Sequence, residues 1–88
     1  MKTLKIGSFV KSTMGRDKGN IYIVMEVFEK SVALVDGNGK TLDKPKIKNT
    51  KHIELFDGIA EKIAEKFVNH TKVFDAEVYS AIKKFKEN

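Results

Sequence analysis

The 88-residue sequence contains no cysteine, and Pro45 is its only proline. Without cysteine, disulfide bonds, iron–sulfur clusters and cysteine zinc sites are excluded. No apolar run approaches the roughly 20 residues of a membrane-spanning helix, and the basic N-terminus lacks the apolar core of a secretory signal. We therefore expect a cytoplasmic protein with no membrane partner.

Motifs that carry catalytic chemistry are equally scarce. His52 and His70 stand apart from any carboxylate cluster, so neither is expected to bind a metal. No serine lies in a nucleophile-elbow pattern, and the glycines of GRDKG (residues 15–19) have the wrong spacing for a dinucleotide loop. A chain of this length supports one modest core and no deep cleft. These features predict a protein that is not an enzyme and that uses no cofactor.

Positive charge is concentrated in the N-terminal part of the chain. Residues 1–54 carry 11 Lys and Arg against 6 Asp and Glu, a net charge of +5, whereas residues 55–88 carry 6 of each and are neutral. This asymmetry predicts a polyanionic partner for the first part, although a role in solubility would explain the charge as well.

The apolar pattern of the first part is that of strands. Alternation is clearest over residues 21–28, and weaker patterns predict further short strands over residues 9–13, 31–36, 40–43 and 52–56. Glycine-rich turns separate several of these segments. Short strands at this spacing predict a small barrel or a strongly bent sheet.

Beyond residue 57 the apolar period becomes helical. A stripe begins at Ile59 and recurs at helical spacing through Val68, with Asp57 as its expected N-cap. Asp75 is expected to cap a second helix, whose buried side would consist of Val78, Ile82 and Phe85. The predicted architecture is thus mainly β with C-terminal α: a small barrel over residues 1–56 and a two-helix hairpin over residues 57–88, packed together as one unit.

The stretch MGRDKGN, residues 14–20, places three charges between two glycines. The glycines allow positive φ angles, and a tight loop presents backbone N–H groups to an anion. Arg16 and Lys18 would then bind phosphate, or Arg16 would stack on an unpaired base. Asp17 would accept hydrogen bonds within the turn or hold Arg16. A solvated β-turn explains the same residues equally well.

Another lysine-rich stretch, KTLDKPKIKNTKH, spans residues 40–52. Pro45 favours an extended backbone, in which Lys44, Lys46 and Lys48 would lie on one side at intervals of about 6 to 7 Å, similar to successive phosphates. Ile47 would then face the core and anchor the segment. A solvated lysine loop is the alternative. The complete set of predicted RNA-contacting residues is Lys11, Arg16, Lys18, Lys44, Lys46, Lys48 and Lys51.

Aromatic residues give the weakest signal for nucleic-acid binding. Phe9, Tyr22 and Phe28 could stack on bases, but at strand spacing such rings more often belong to the core. Recognition of the shape and backbone of structured RNA therefore fits the sequence better than base-specific recognition.

These motifs together resemble a known family. The run IGSFVKSTMGRDKGNIYIVMEVF, residues 6–28, resembles a KOW motif: a glycine, a strand, a glycine-bounded basic loop and a second strand. With DKPKIKNTKH downstream (residues 43–52), it resembles more narrowly the archaeal and eukaryotic large-subunit ribosomal protein family numbered fourteen, together with short bacterial KOW-domain relatives that bind RNA. The resemblance covers about residues 5–56.

The resemblance implies an SH3-like barrel that binds ribosomal RNA or the ribosome through its basic loops. Residues 57–88 differ from the ribosomal members because they form neutral helices in place of a long basic extension. This difference implies a bacterial protein with a loose or assembly-stage association, whose helices contact a protein partner. A KOW-type protein-interaction module in transcription or translation is the alternative function.

Overall fold

A computed structural model describes residues 3–87 and contains five strands followed by two helices. The strands are β1 (Ser8–Ser12), β2 (Ile21–Val27), β3 (Ser31–Val35), β4 (Lys46–Asn49) and β5 (Ile53–Ile59). The helices are α1 (Glu61–Val68) and α2 (Asp75–Glu87), and a short 3-10 turn, Thr50–His52, precedes β5. The prediction of a mainly β protein with C-terminal helices is confirmed.

The strands form one antiparallel sheet in the order β4-β3-β2-β1-β5. This ladder is open, with β4 and β5 at its two edges. Glu29 and Lys30 form the predicted two-residue connection, where the Phe28 N–H donates to the Ser31 carbonyl at 2.8 Å. The register shifts within β2 between Val24 and Glu26, and such a bulge increases the bend of a strand.

The predicted strand over residues 40–43 is wrong, because hydrogen-bonded turns occupy this segment. The Asp36 carboxylate accepts from the backbone N–H groups of Asn38 and Lys40, at 3.0 and 2.8 Å. A further turn follows, in which the Lys44 N–H donates to the Thr41 carbonyl at 3.0 Å. The fourth strand therefore begins only after Pro45.

Both faces of the sheet are apolar. One face packs on the helices, where Phe9, Ile23 and Val35 share a core with Val78 and Ile82. The other face forms a second cluster, which comprises Val10, Tyr22, Val24, Val32 and Leu34. Burial of each large side chain contributes roughly 1.5–3 kcal/mol, so the helices and the sheet stabilise each other.

Helix α2 is fixed on the sheet by aromatic contacts and by one close backbone approach. The rings of Phe9 and Phe85 stack with centroids 4.1 Å apart, and Phe56 meets Phe85 edge-on at 5.2 Å. Gly37, with φ +76°, lies against the backbone of Asp75 and Tyr79, where a Cβ would overlap the Asp75 carbonyl. The predicted buried positions of α2 are confirmed, since Val78 and Ile82 are buried and Phe85 contacts the core.

The expected helix caps are wrong in detail. Asp57 lies within β5, which continues to Ile59, and α1 begins after Ala60 without a side-chain cap. Asp75 is the first residue of α2, and its carboxylate accepts from the Leu42 N–H at 2.8 Å. Glu77 provides the capping bond by accepting from the Phe74 N–H at 3.0 Å. No helix within residues 3–87 is both long and apolar enough to cross a bilayer.

Candidate nucleic-acid interface

The loop MGRDKGN, hereafter the first basic loop, is closed by hydrogen bonds between the strands that flank it. The Gly19 N–H donates to the Ser12 carbonyl at 2.8 Å, and the Ser12 N–H donates to the Asn20 carbonyl at 2.9 Å. Gly15 and Gly19 adopt φ angles of +93° and +95°, which favour glycine strongly. The loop is therefore an ordered extension of the β1–β2 hairpin.

The Asp17 side chain points inward and organises the loop. Its Oδ1 accepts from Lys48 Nζ at 2.6 Å and from Ser12 Oγ at 3.0 Å, and its Oδ2 accepts from the Tyr22 hydroxyl at 2.9 Å. Only 11% of the Asp17 side chain is exposed. Asp17 therefore holds the loop from within, and its inward position leaves the two neighbouring cations on the outside.

The ionisation of this network follows from its geometry. Burial alone would raise the pKa of Asp17, but hydrogen bonds from Lys48, Tyr22 and Ser12, together with the Lys48 charge, hold it well below its usual range. Burial and the adjacent carboxylate raise the pKa of Tyr22 to about 12. Asp17 is thus a carboxylate and Tyr22 a neutral donor at neutral pH.

Lys48 belongs to this internal network. Its side chain is 8% exposed, and its ammonium donates to Asp17 Oδ1 and to two further acceptors, Ser12 Oγ at 2.8 Å and the Met14 carbonyl at 2.7 Å. The three donors of an ammonium group are therefore all used within the protein. Lys48 ties β4 to the first basic loop, which is 31 residues away in sequence.

The orientation of β4 is the reverse of the expected one. Ile47, expected to anchor the segment in the core, is 57% exposed, whereas Lys48 is buried. The register pairs Val32 with Lys48, so the Lys48 side chain lies on the face that also contains Tyr22. An ion pair with Asp17 has taken the place of an apolar anchor.

A second contact joins the residues just before the first basic loop to the segment that follows β4. The Thr13 N–H donates to the His52 carbonyl at 2.9 Å, and Ser12 pairs with Ile53 across the β1–β5 ladder. Lys51 therefore lies one residue from the base of the loop. The cationic segment of residues 44–52, hereafter the second basic segment, is thus attached to the first basic loop through Lys48 and to the residue just before the loop through His52.

The other predicted cations differ in exposure. Arg16, Lys18, Lys44 and Lys51 are exposed, and Lys46 is partly exposed. Lys11 is partly exposed and lies 3.9 Å from the Glu54 carboxylate, a surface ion pair. Within residues 3–87, the ion pairs involve only Lys11, Lys48 and Lys66 among the basic residues. Five of the predicted cations therefore have no carboxylate partner among residues 3–87: Arg16, Lys18, Lys44, Lys46 and Lys51.

The three aromatic candidates have separate environments. Phe9 and Tyr22 are buried in the two cores, as expected from their strand positions. Phe28 is 43% exposed at the β2–β3 turn. In the described part of the chain, no cluster of three His, Cys, Asp or Glu side chains could hold a metal ion.

Comparison with known proteins identifies the family. No protein-family model matches the chain. The large ribosomal subunit protein eL14 of Methanococcus vannielii is 35% identical over 57 residues, which cover 65% of this chain and 69% of the archaeal protein. The chain belongs to the eL14 family. Membership confirms the predicted resemblance to this ribosomal protein family.

Proposed function

We propose that this eL14-family protein is a non-enzymatic RNA-binding protein of the translation machinery that contacts ribosomal RNA. Arg16 and Lys18 of the first basic loop, and Lys44, Lys46 and Lys51 of the second basic segment, would bind the phosphate backbone. Such contacts position a protein on RNA through charge and shape. Lys11 would lie at the margin of this surface, with its charge partly offset by Glu54.

The observation that carries this proposal is the contact between the two cationic segments. Lys48 Nζ lies 2.7 Å from the Met14 carbonyl at the start of the first basic loop, and Lys46 lies two residues from Lys48, roughly 7 Å along the strand. The internal pair therefore brings together two segments whose exposed charges have the same sign. We assign Lys48 to the support of this surface, because its ammonium donors are already occupied.

Crosslinking in cells tests the proposal. Ultraviolet crosslinking, followed by sequencing of the attached RNA and mass spectrometry of the attached peptides, should recover ribosomal RNA on peptides that contain residues 14–20 and 44–52. Recovery of messenger RNA would reassign the partner, and recovery of no RNA above the level of a variant lacking all five exposed cations would contradict RNA binding.

We also propose the type of domain to which the sheet belongs. The glycine-bounded basic loop between β1 and β2 supports a KOW-type domain, predicted over residues 1–56, and we propose that the bent five-stranded sheet is an SH3-like form of it. Helices α1 and α2 would act with the sheet as one unit, since they share its core. A bacterial, cytoplasmic protein with a loose or assembly-stage ribosome association fits this neutral helical part.

Exposed apolar side chains on the helical part favour a protein partner as a second candidate function. Val68 and Phe74 are 61% and 56% exposed, and this part of the chain has no net charge. A KOW-type interaction module would use such a surface. A partner that is retained after nuclease treatment and in high salt, and lost on Val68→Ser with Phe74→Ser, would favour this function.

A further inference from the structure

A polar crevice of about 290 Å3 lies beside the first basic loop. Its apolar lining consists of Ile21 and Ile82, and its polar lining consists of Asn20, Asp36, Asn38, Tyr79 and Lys86. Three segments that are distant in sequence build it: the end of the first basic loop, the turn after β3 and one face of α2. The missing Cβ of Gly37 allows the turn to lie directly against the backbone of α2.

Three side chains of the crevice, those of Asn38, Tyr79 and Lys86, are available for a ligand. Tyr79 is 50% exposed. Among residues 3–87, no hydrogen bond or ion pair engages the Asn38 amide or the Lys86 ammonium. Asn20 lies two residues before Tyr22, whose hydroxyl donates to Asp17, so the crevice adjoins the network that supports the first basic loop.

This combination of groups has the chemistry of a nucleobase site. A planar aromatic ring offers stacking, and amide side chains offer both donors and acceptors to the edge of a base. The Asp36 carboxylate would repel a phosphate placed inside the crevice, but it would accept from the N–H groups of a base. Asn20 follows Lys18 by two residues, so at most about 7 Å of backbone separates the crevice from a proposed phosphate contact.

We propose that the crevice receives one unpaired nucleobase of the bound RNA, an inference that rests on the RNA-binding function proposed above. The base stacks on Tyr79, the amides of Asn20 and Asn38 bind its edge, and Lys86 contacts the neighbouring phosphate. The crevice thus adds selection for an unpaired nucleotide to the backbone contacts of the cationic surface.

Two labelled RNA hairpins of the same stem sequence test this proposal, one fully paired and one with a single bulged nucleotide. The wild-type protein should bind the bulged hairpin more tightly. Tyr79→Ala should weaken binding to the bulged hairpin by about fivefold or more, the lower end of what loss of a stacked ring costs, and should leave binding to the paired hairpin nearly unchanged. Asn38→Ala should also reduce the preference for the bulge.

Three controls separate stacking from folding. Tyr79→Phe keeps the ring and should retain the preference, and Ser80→Ala changes an exposed neighbour outside the crevice and should bind as wild type. 2-Aminopurine placed at the bulge should change its fluorescence on binding to wild type and not on binding to Tyr79→Ala. Thermal unfolding followed by circular dichroism checks that each variant is folded.

The outcomes distinguish this inference from the function on which it rests. Equal affinity of the wild type for both hairpins, or a full preference for the bulge in folded Tyr79→Ala, overturns the nucleobase site and leaves RNA binding intact. Failure to bind either hairpin overturns both proposals. Displacement of the bulged hairpin by free adenosine or guanosine monophosphate would instead assign the crevice to free nucleotides.

Discussion

Replacement of Lys48 by methionine tests how the two cationic segments are held together. The change keeps the approximate length of the side chain and removes its charge, so that Asp17 loses its cationic partner. Both side chains of this pair are nearly buried, with exposures of 8% and 11%. Removal of one member of a buried pair costs about 3–5 kcal/mol, because the remaining charge is left uncompensated. This loss is a large part of the total stability of a typical protein, which is about 5–15 kcal/mol.

Urea unfolding, followed by circular dichroism, measures this loss. Lys46→Met is the matched control, because Lys46 lies on the same strand and lacks a carboxylate partner among the described residues. This variant should change the free energy of unfolding by less than about 0.5 kcal/mol. The double variant Lys48→Met with Asp17→Asn should lose less than the two single variants combined, since it leaves no buried charge unpaired. A stability of Lys48→Met within about 0.5 kcal/mol of wild type would refute the structural role given to this pair.

Three further predictions follow from particular contacts. The pKa of Asp17 is lower in the folded protein than its ordinary value of 3.8, so its contribution to stability is full above that value and is lost as the pH falls further. Chemical unfolding measured between neutral pH and strong acid should show this loss. Asp17→Asn should reduce the dependence of the unfolding free energy on pH below about pH 4. Gly37→Ala should lower the stability measured by thermal unfolding by about 2 kcal/mol or more, because the φ of +76° is unfavourable for alanine and a Cβ would overlap the backbone of α2. Gly39→Ala is the control and should change stability little, because the space around Gly39 is open. Similar losses for both variants would contradict the packing of this turn on α2. Arg16→Ala should weaken RNA binding and leave the Tm nearly unchanged, because the exposed guanidinium makes no ion pair with a carboxylate among residues 3–87. If the Tm and the RNA affinity fell together, the loop would be a purely structural turn.

Local patterns in the sequence predict much of the sheet and helices. The alternation over residues 21–28 corresponds to β2, and the helical stripe of Val78, Ile82 and Phe85 corresponds to the packed side of α2. These predictions succeed because burial imposes a period of two on a strand and of 3.6 on a helix. They fail where the decisive contact is not periodic, as in the turns that the Asp36 carboxylate stabilises over residues 36–40.

The interior of the candidate site depends on distant contacts that a local pattern does not reveal. Asp17 acts within the protein, as predicted, but its carboxylate accepts from the side chains of Lys48, Ser12 and Tyr22 rather than from the backbone of the turn or from Arg16. A lysine in an alternating KIK segment gives no indication that it will be buried while the isoleucine is exposed. The crevice lined by Asn20, Asn38 and Tyr79 is likewise hidden from the sequence, because it exists only once the turn after β3 packs against α2.

The salt dependence of RNA binding tests the central claim most directly. If the five exposed cations, Arg16, Lys18, Lys44, Lys46 and Lys51, bind phosphates together, the slope of log affinity against log salt concentration should be about −4.5 on duplex RNA that behaves like B-DNA. Lys46→Met should reduce the magnitude of this slope by about 1 without loss of stability. A wild-type slope close to zero, or a Lys46→Met slope unchanged from that of the wild type, would contradict a single RNA-binding surface built from the two basic segments.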